Sequence, residues 1–172
     1  KLCASLIATA SVMLLYLALR RRADETTAGL LTAVYAFGTT TWAVSSQALW
    51  MHGPASLMIV ATLLLLTGRV TAARIAAAGF CCALIVCIRP PDAVLAAALA
   101  LFAIAWARHR IWLFVCAGAI PAGLLLAYNV TLVGNFFGAY AGISHNGLDS
   151  FLNDNPVEGL AGLLVSPTRG LQ

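Results

Sequence analysis

Charge is scarce in this sequence. Asp, Glu, Lys and Arg make up only 9% of its 172 residues, and just 6 of these are acidic. A soluble domain carries ~25% charged residues, so a water-covered surface is excluded for this chain. The net charge of +4 does not indicate nucleic-acid binding. The arginines sit between apolar runs and form no continuous basic face. Catalytic signatures are missing too: there is no phosphate loop, no Ser/His/Asp order, no HExxH and no CxxC. The 5 cysteines are Cys3, Cys81, Cys82, Cys87 and Cys116, all inside apolar runs. Their odd number argues against a disulfide framework, and no His stands at metal-ligand spacing. They read as small packing residues. No cofactor is identified, and no pattern indicates a divalent metal. There is no soluble domain and no low-complexity linker. No Met precedes Lys1, and no signal-peptide cleavage site follows the first run. The chain therefore reads as an internal piece of a longer reading frame.

What is present is apolar. Hydrophobic residues make up 62% of the chain, and its mean hydropathy is +0.93. A membrane helix needs ~20 mostly apolar residues. Runs of that character lie at about 2–19, 28–44, 54–67, 73–88, 93–107 and 111–133. They predict an all-α, polytopic transmembrane helix bundle of about six spans over residues 1–134. Residues 135–172 are expected to form a loop with a short interfacial helix. Several runs are short, as where a membrane helix breaks at a cavity or re-entrant segment.

The loops carry a sign pattern. Arg20, Arg21 and Arg22 follow the first run, Arg69 and Arg74 follow the third, and Arg108 and Arg110 follow the fifth. All occupy alternate loops, which the positive-inside rule assigns to the cytoplasm. Lys1, Arg89 and Arg169 lie on the other side with Asp92, Asp149, Asp154 and Glu158. The N-terminal end and the tail are thus expected to face away from the cytoplasm. Local signals accompany the runs. Pro54 suits a first helical turn, Asp92 is placed to cap the fifth run, and Pro121 predicts a kink in the sixth. The alanine-rich fourth and fifth runs are expected to pack closely inside the bundle.

Polar residues concentrate on the non-cytoplasmic side. Residues 39–54 hold hydroxyls, Gln47, His52, Trp42 and Trp50. The tryptophans read as interfacial anchors. Gln47 and His52 read either as loop residues or as hydrogen-bonding groups in a cavity wall. Arg89 stands at an outer helix end, where a cation needs a partner or an anion. It either pairs with Asp92 or grips a phosphate through its planar fork. Arg169 is a second outward cation. In the tail, His145 with Asp149, or Asp154 with Glu158, have only generic acid–base spacing. Asn129-Val130-Thr131 fits a glycosylation sequon but lies within the sixth run.

One stretch, Ser45-Ser46-Gln47-Ala48-Leu49-Trp50-Met51-His52-Gly53-Pro54, resembles bacterial membrane glycosyltransferases of the GT-C superfamily. The likeness is to the protein O-mannosyltransferase-like and lipid-A-sugar-transferase-like group. Tyr35-Ala36-Phe37-Gly38-Thr39, Ile88-Arg89-Pro90 and Tyr128-Asn129 leading to Phe136-Phe137-Gly138 follow in the same order. So does Glu158-Gly159-Leu160-Ala161-Gly162-Leu163-Leu164-Val165-Ser166-Pro167-Thr168-Arg169-Gly170. The resemblance covers the whole chain. It implies transfer of a sugar from a polyprenyl-phosphate donor to a lipid or glycan acceptor of the cell envelope. Such enzymes place an acidic catalytic residue in their first external loop, which is expected upstream of Lys1, so no catalytic residue is assigned here. Arg89, His52, Gln47 and Arg169 are the candidate substrate contacts. Membrane lipids are the other expected partners. Two other classes fit the composition. A transporter or flippase of a lipid-linked or anionic substrate would show an internal repeat, and no clear repeat is found. A non-catalytic membrane scaffold would need Arg89 and His52 only for stability.

Overall fold

The computed structural model describes residues 1–136 and 138, and among them every regular element is helical, with no strand. The order is α1 (Leu2–Leu19), α2 (Glu25–Phe37), a π-turn (Thr41–Ser45), α3 (His52–Leu66), α4 (Ala72–Ile88), α5 (Ala93–Trp106) and α6 (Ile111–Tyr128). Short 3-10 turns at Pro90–Asp92 and Arg108–Arg110 flank α5, and a π-turn at Asn129–Val133 follows α6. Two helical stretches are long and apolar enough to cross a membrane, Leu2–Leu19 and Arg108–Val133. His52–Leu66, Ala72–Ile88 and Pro90–Trp106 are apolar but shorter.

The second apolar run does not form one helix over residues 28–44. α2 starts earlier, at Glu25, because Asp24 caps it. The Asp24 carboxylate accepts from the Thr27 hydroxyl at 2.7 Å and from the Thr27 backbone N–H at 3.0 Å. α2 stops at Phe37, where Gly38 is the C-cap. Thr39 Oγ1 then donates to the Tyr35 carbonyl at 2.6 Å and shares a 3.0 Å contact with Thr41 Oγ1. These hydroxyls offer the backbone an alternative to a continuing helix.

The cap has a pH signature. The Thr27 hydroxyl, and then its N–H, hold the Asp24 carboxyl below its ordinary value of 3.8. A depressed folded-state value means that the stabilisation is present above pH 3.8 and is lost as pH falls through the folded-state value. Amide exchange at Thr26 and Thr27 should accelerate in Asp24→Ala at pH 7, and in the parent protein only under strong acid. Equal protection in both proteins at pH 7 would show that the cap is idle.

Small residues set the packing. α1 buries Ala4, Ala8, Ser11 and Ala18 on one face, and α3 buries Gly53, Ala55, Val60, Thr62 and Leu66. α1 and α3 run parallel. The Ser5 hydroxyl donates to the Ser46 carbonyl at one end, and Arg21 donates to the Leu64 carbonyl at the other. The short turn at residues 67–71 sends α4 back antiparallel to α3. Leu66, Ile75, Ala78, Cys82 and Ile85 join Ala96, Ala103, Ala107 and Phe114 in one buried cluster. The Cys82 thiol donates to the Ala96 carbonyl at 3.3 Å, tying α4 to α5. α5 buries only its Ala96–Ala103 edge and leaves Val94, Leu95, Leu101 and Ile104 exposed. Two buried hydroxyls bond within their own helices, Thr32 to the Ala28 carbonyl at 2.7 Å and Thr62 to the Met58 carbonyl at 2.8 Å. Among the described residues, no buried side-chain nitrogen or oxygen lacks a hydrogen-bond partner.

α6 reaches α4 through glycine. A Cβ on Gly79 would run into the Phe114 carbonyl oxygen and lie 2.7 Å from Phe114 Cα. Across the same contact, a Cβ on Gly118 would lie 3.0 Å from the Gly79 oxygen. Pro121 is buried inside α6.

Residues 1–125 form one compact unit and 126–172 another. In the second, Asn129 organises the turn after α6. Its side-chain amide donates to the Phe136 carbonyl at 3.1 Å. Gly134 and Gly138 take left-handed conformations, at φ 73° and 59°. A Cβ on Gly138 would lie 2.6 Å from Asn129 Oδ1 and would be strained by the positive φ, which favours glycine there.

Candidate functional site

The end of α4 follows from its sequence. Arg89 precedes Pro90, whose ring drives the preceding residue out of the helical region. Arg89 accordingly has φ −145° and ψ 94° and closes α4 at Ile88. Pro90 then opens a 3-10 turn, and the Asp92 N–H donates to the Arg89 carbonyl at 3.0 Å. This turn points the Arg89 guanidinium back at Asp92, with Nη1 to Oδ1 at 2.8 Å. The Arg89 side chain is 32% exposed and that of Asp92 12%. Asp92 was expected to cap α5, but its side chain makes no capping bond. Its carboxylate is engaged by Arg89 instead. The arginine keeps guanidinium N–H groups beyond the one used by Asp92.

The π-turn opens a cavity of about 270 Å³. Ser5, Thr9, Thr41, Ser46 and Gln47 supply its polar groups, and Ala8, Val12, Ala36, Phe37 and Trp42 supply apolar wall. The Phe37 and Trp42 rings pack at 5.6 Å, tilted by 51°. Gln47 Nε2 donates to Ser46 Oγ at 3.4 Å. Trp42, read from sequence as an interfacial anchor, lines this cavity. Gln47 is therefore a cavity residue. His52 is half-buried as the first residue of α3 and is absent from the cavity wall. Sequence reasoning missed Ser5 and Thr9. Their spacing of four places two hydroxyls on one face of an otherwise apolar helix, and that was the available signal.

The topology sorts the cations. α3 begins and α4 ends at the same end of their antiparallel pair, which puts His52 and Arg89 at that end. The Ser5–Ser46 bond puts the start of α1 there as well. Arg21 and Arg74 flank Gly68 at the opposite end. The structure brings Gln47 and the hydroxyls together. It does not place Arg89 or His52 on the same cavity wall. Arg169, His145, Asp149, Asp154 and Glu158 lie outside the described residues. The Asn129 of the sequon has its amide engaged with Phe136, and Thr131 Oγ1 donates to the Ala127 carbonyl at 2.7 Å. Among the described residues, no group of three His, Cys, Asp or Glu could hold a metal.

What the fold and the site define together, among the described residues, is an all-helical architecture with two helical stretches of membrane-crossing length and a hydroxyl-rimmed apolar cavity. No family model, curated protein or solved structure matches it.

Proposed function

We propose that this chain is the membrane-embedded part of a glycosyltransferase that moves a sugar from a polyprenyl-phosphate donor to an extracytoplasmic acceptor. The cavity at the π-turn carries the proposal. It joins an apolar wall, suited to isoprenoid carbon, to a rim of hydroxyls and an amide, suited to sugar or phosphate oxygens. It also lies at the end of the α1/α3/α4 bundle that carries Arg89. A lipid-linked donor presents its phosphate at that depth, where a cation stabilises the leaving group. The GT-C-like stretches at 35–39 and 45–54 contribute Ala36, Phe37, Ser46 and Gln47 to that wall.

In this reading the bundle crosses the bacterial inner membrane about six times. α1, with 18 residues, is about 27 Å long at 1.5 Å per residue, close to the ~30 Å hydrocarbon core. α3 packs against it, and α4 and α5 pack against α3, at 15, 17 and 14 residues, lengthened by their terminal turns. Leu2, Val94, Leu101 and Leu124 are all more than two-thirds exposed. Lipid, not water, covers such surface at low cost. Arg20, Arg21, Arg22, Arg69 and Arg74 then face the cytoplasm.

Photolabelling tests the proposal. A polyprenyl phosphate bearing a diazirine near its phosphate is added to the protein in lipid nanodiscs. Adducts should map to peptides containing residues 5–12 and 36–47, and unlabelled donor should suppress them. Adducts confined to the exposed side chains of α6, without suppression, would sink the reading.

A further inference from the structure

We infer that Arg21 and Arg74 form a binding site for the phosphate of an anionic phospholipid, at the end of the bundle opposite Arg89. The inference rests on the membrane reading above. Arg21 leaves the end of α1 and reaches the last turn of α3, where it donates to the Leu64 carbonyl. That bond places its charge at the negative end of a helix dipole and accounts for part of its donor capacity. Arg74 has no such explanation. It stands in the first turn of α4, the positive end of that helix, where a cation is disfavoured. It is half-buried rather than free in solvent.

The two side chains converge. The point that a Cβ would occupy on Gly68 lies 2.7 Å from Arg74 Cζ and 3.0 Å from Arg21 Nη1. Gly68 thus leaves the room in which two guanidinium groups become neighbours. Among the described residues, no carboxylate relieves their repulsion. Among the described residues the ion pairs are Arg20 with Glu25 and Arg89 with Asp92, and neither involves Arg21 or Arg74. Arg22 and Arg69 add exposed positive charge nearby in sequence.

Two converging guanidiniums without a counter-charge suit a phosphate, which accepts several charge-assisted bonds at once. The surroundings select a lipid phosphate over a free one. Val70, between Arg69 and the α4 cap Thr71, is 48% exposed. It offers apolar surface beside the cations, as an acyl chain requires. The cytoplasmic leaflet presents anionic headgroups to basic residues at this depth.

The test uses the protein reconstituted in vesicles of phosphatidylcholine with and without phosphatidylglycerol, then extracted and weighed by native mass spectrometry. The parent protein should retain phosphatidylglycerol over phosphatidylcholine by about thirtyfold, the preference expected from two engaged arginines at roughly 1 kcal/mol each. Arg74→Gln, which leaves the Arg21–Leu64 bond in place, should lose most of that preference. Arg108→Gln, an equal change of charge elsewhere, should keep it. Equal loss in both variants would overturn the site in favour of diffuse charge. Full displacement by millimolar inorganic phosphate would overturn the lipid assignment. Protein that floats with the vesicles but shows no headgroup preference defeats this inference alone. Protein that fails to float defeats the membrane reading with it.

Discussion

Replacing Gly79 with alanine should destabilise the helix bundle by about 1–3 kcal/mol, the range for forcing extra volume into a packed contact. The obstacle is backbone. A Cβ on Gly79 would meet the Phe114 carbonyl oxygen, with Phe114 C and Cα both at 2.7 Å. A flexible side chain could turn away, but a helix backbone moves only by shifting the whole of α6. Gly118→Ala should cost less. Its nearest obstacles are the Gly79 oxygen at 3.0 Å and the Ala83 Cβ at 3.5 Å, which a small adjustment relieves. Gly123 is the internal control, since nothing lies within 4 Å of its Cβ position. Alanine there should be neutral or stabilising, because glycine inside a helix is ~0.5–1 kcal/mol less favourable than alanine. Thermal melts of the three variants in one detergent should rank Gly79→Ala lowest and Gly123→Ala highest. A Gly79→Ala protein that melts with the parent would show that α6 does not rest on α4 at this point.

That contact was only half legible in the sequence. Alanine and glycine at residues 76–79 announced close helix approach. They could not say that the partner is Phe114 rather than a residue of α5. The first apolar run and α1 share the bounds Leu2–Leu19, because an uninterrupted apolar run ending in three arginines leaves little choice. The run at 28–44 misled for the opposite reason. Hydropathy sums side chains, and Trp42, Ala43 and Val44 kept that sum high through a break made by Gly38 and the Thr39 and Thr41 hydroxyls. The cavity depends on that break, so its α1 side could not be read from local pattern alone. At Arg89 the sequence offered both partners. The Asp92 carboxylate is where the turn geometry of Pro90 puts it, and the phosphate remains a matter of function.

Under the glycosyltransferase proposal, Arg89→Ala in the full-length protein should reduce sugar transfer by about 10²–10³-fold, the loss seen when one preorganised group that stabilises developing negative charge is removed. The ion pair complicates a single substitution. Asp92, with only 12% of its side chain exposed, would be left without its partner. A lost charged hydrogen bond of this kind costs about 1.5–3 kcal/mol, enough to mimic inactivation by misfolding. Two further variants separate the causes. Asp92→Asn breaks the ion pair but keeps the guanidinium, so transfer should survive if Arg89 meets the donor phosphate. The double variant Arg89→Ala with Asp92→Ala leaves no unpaired charge, so membrane level should recover while transfer stays lost. Arg89→Lys keeps the charge without the planar fork and should fall between parent and alanine. The opposite pattern, in which Asp92→Asn is as inactive as Arg89→Ala and the double variant regains transfer, would make the pair a structural clamp on the Pro90 turn. The donor phosphate would then have to be held by other cations.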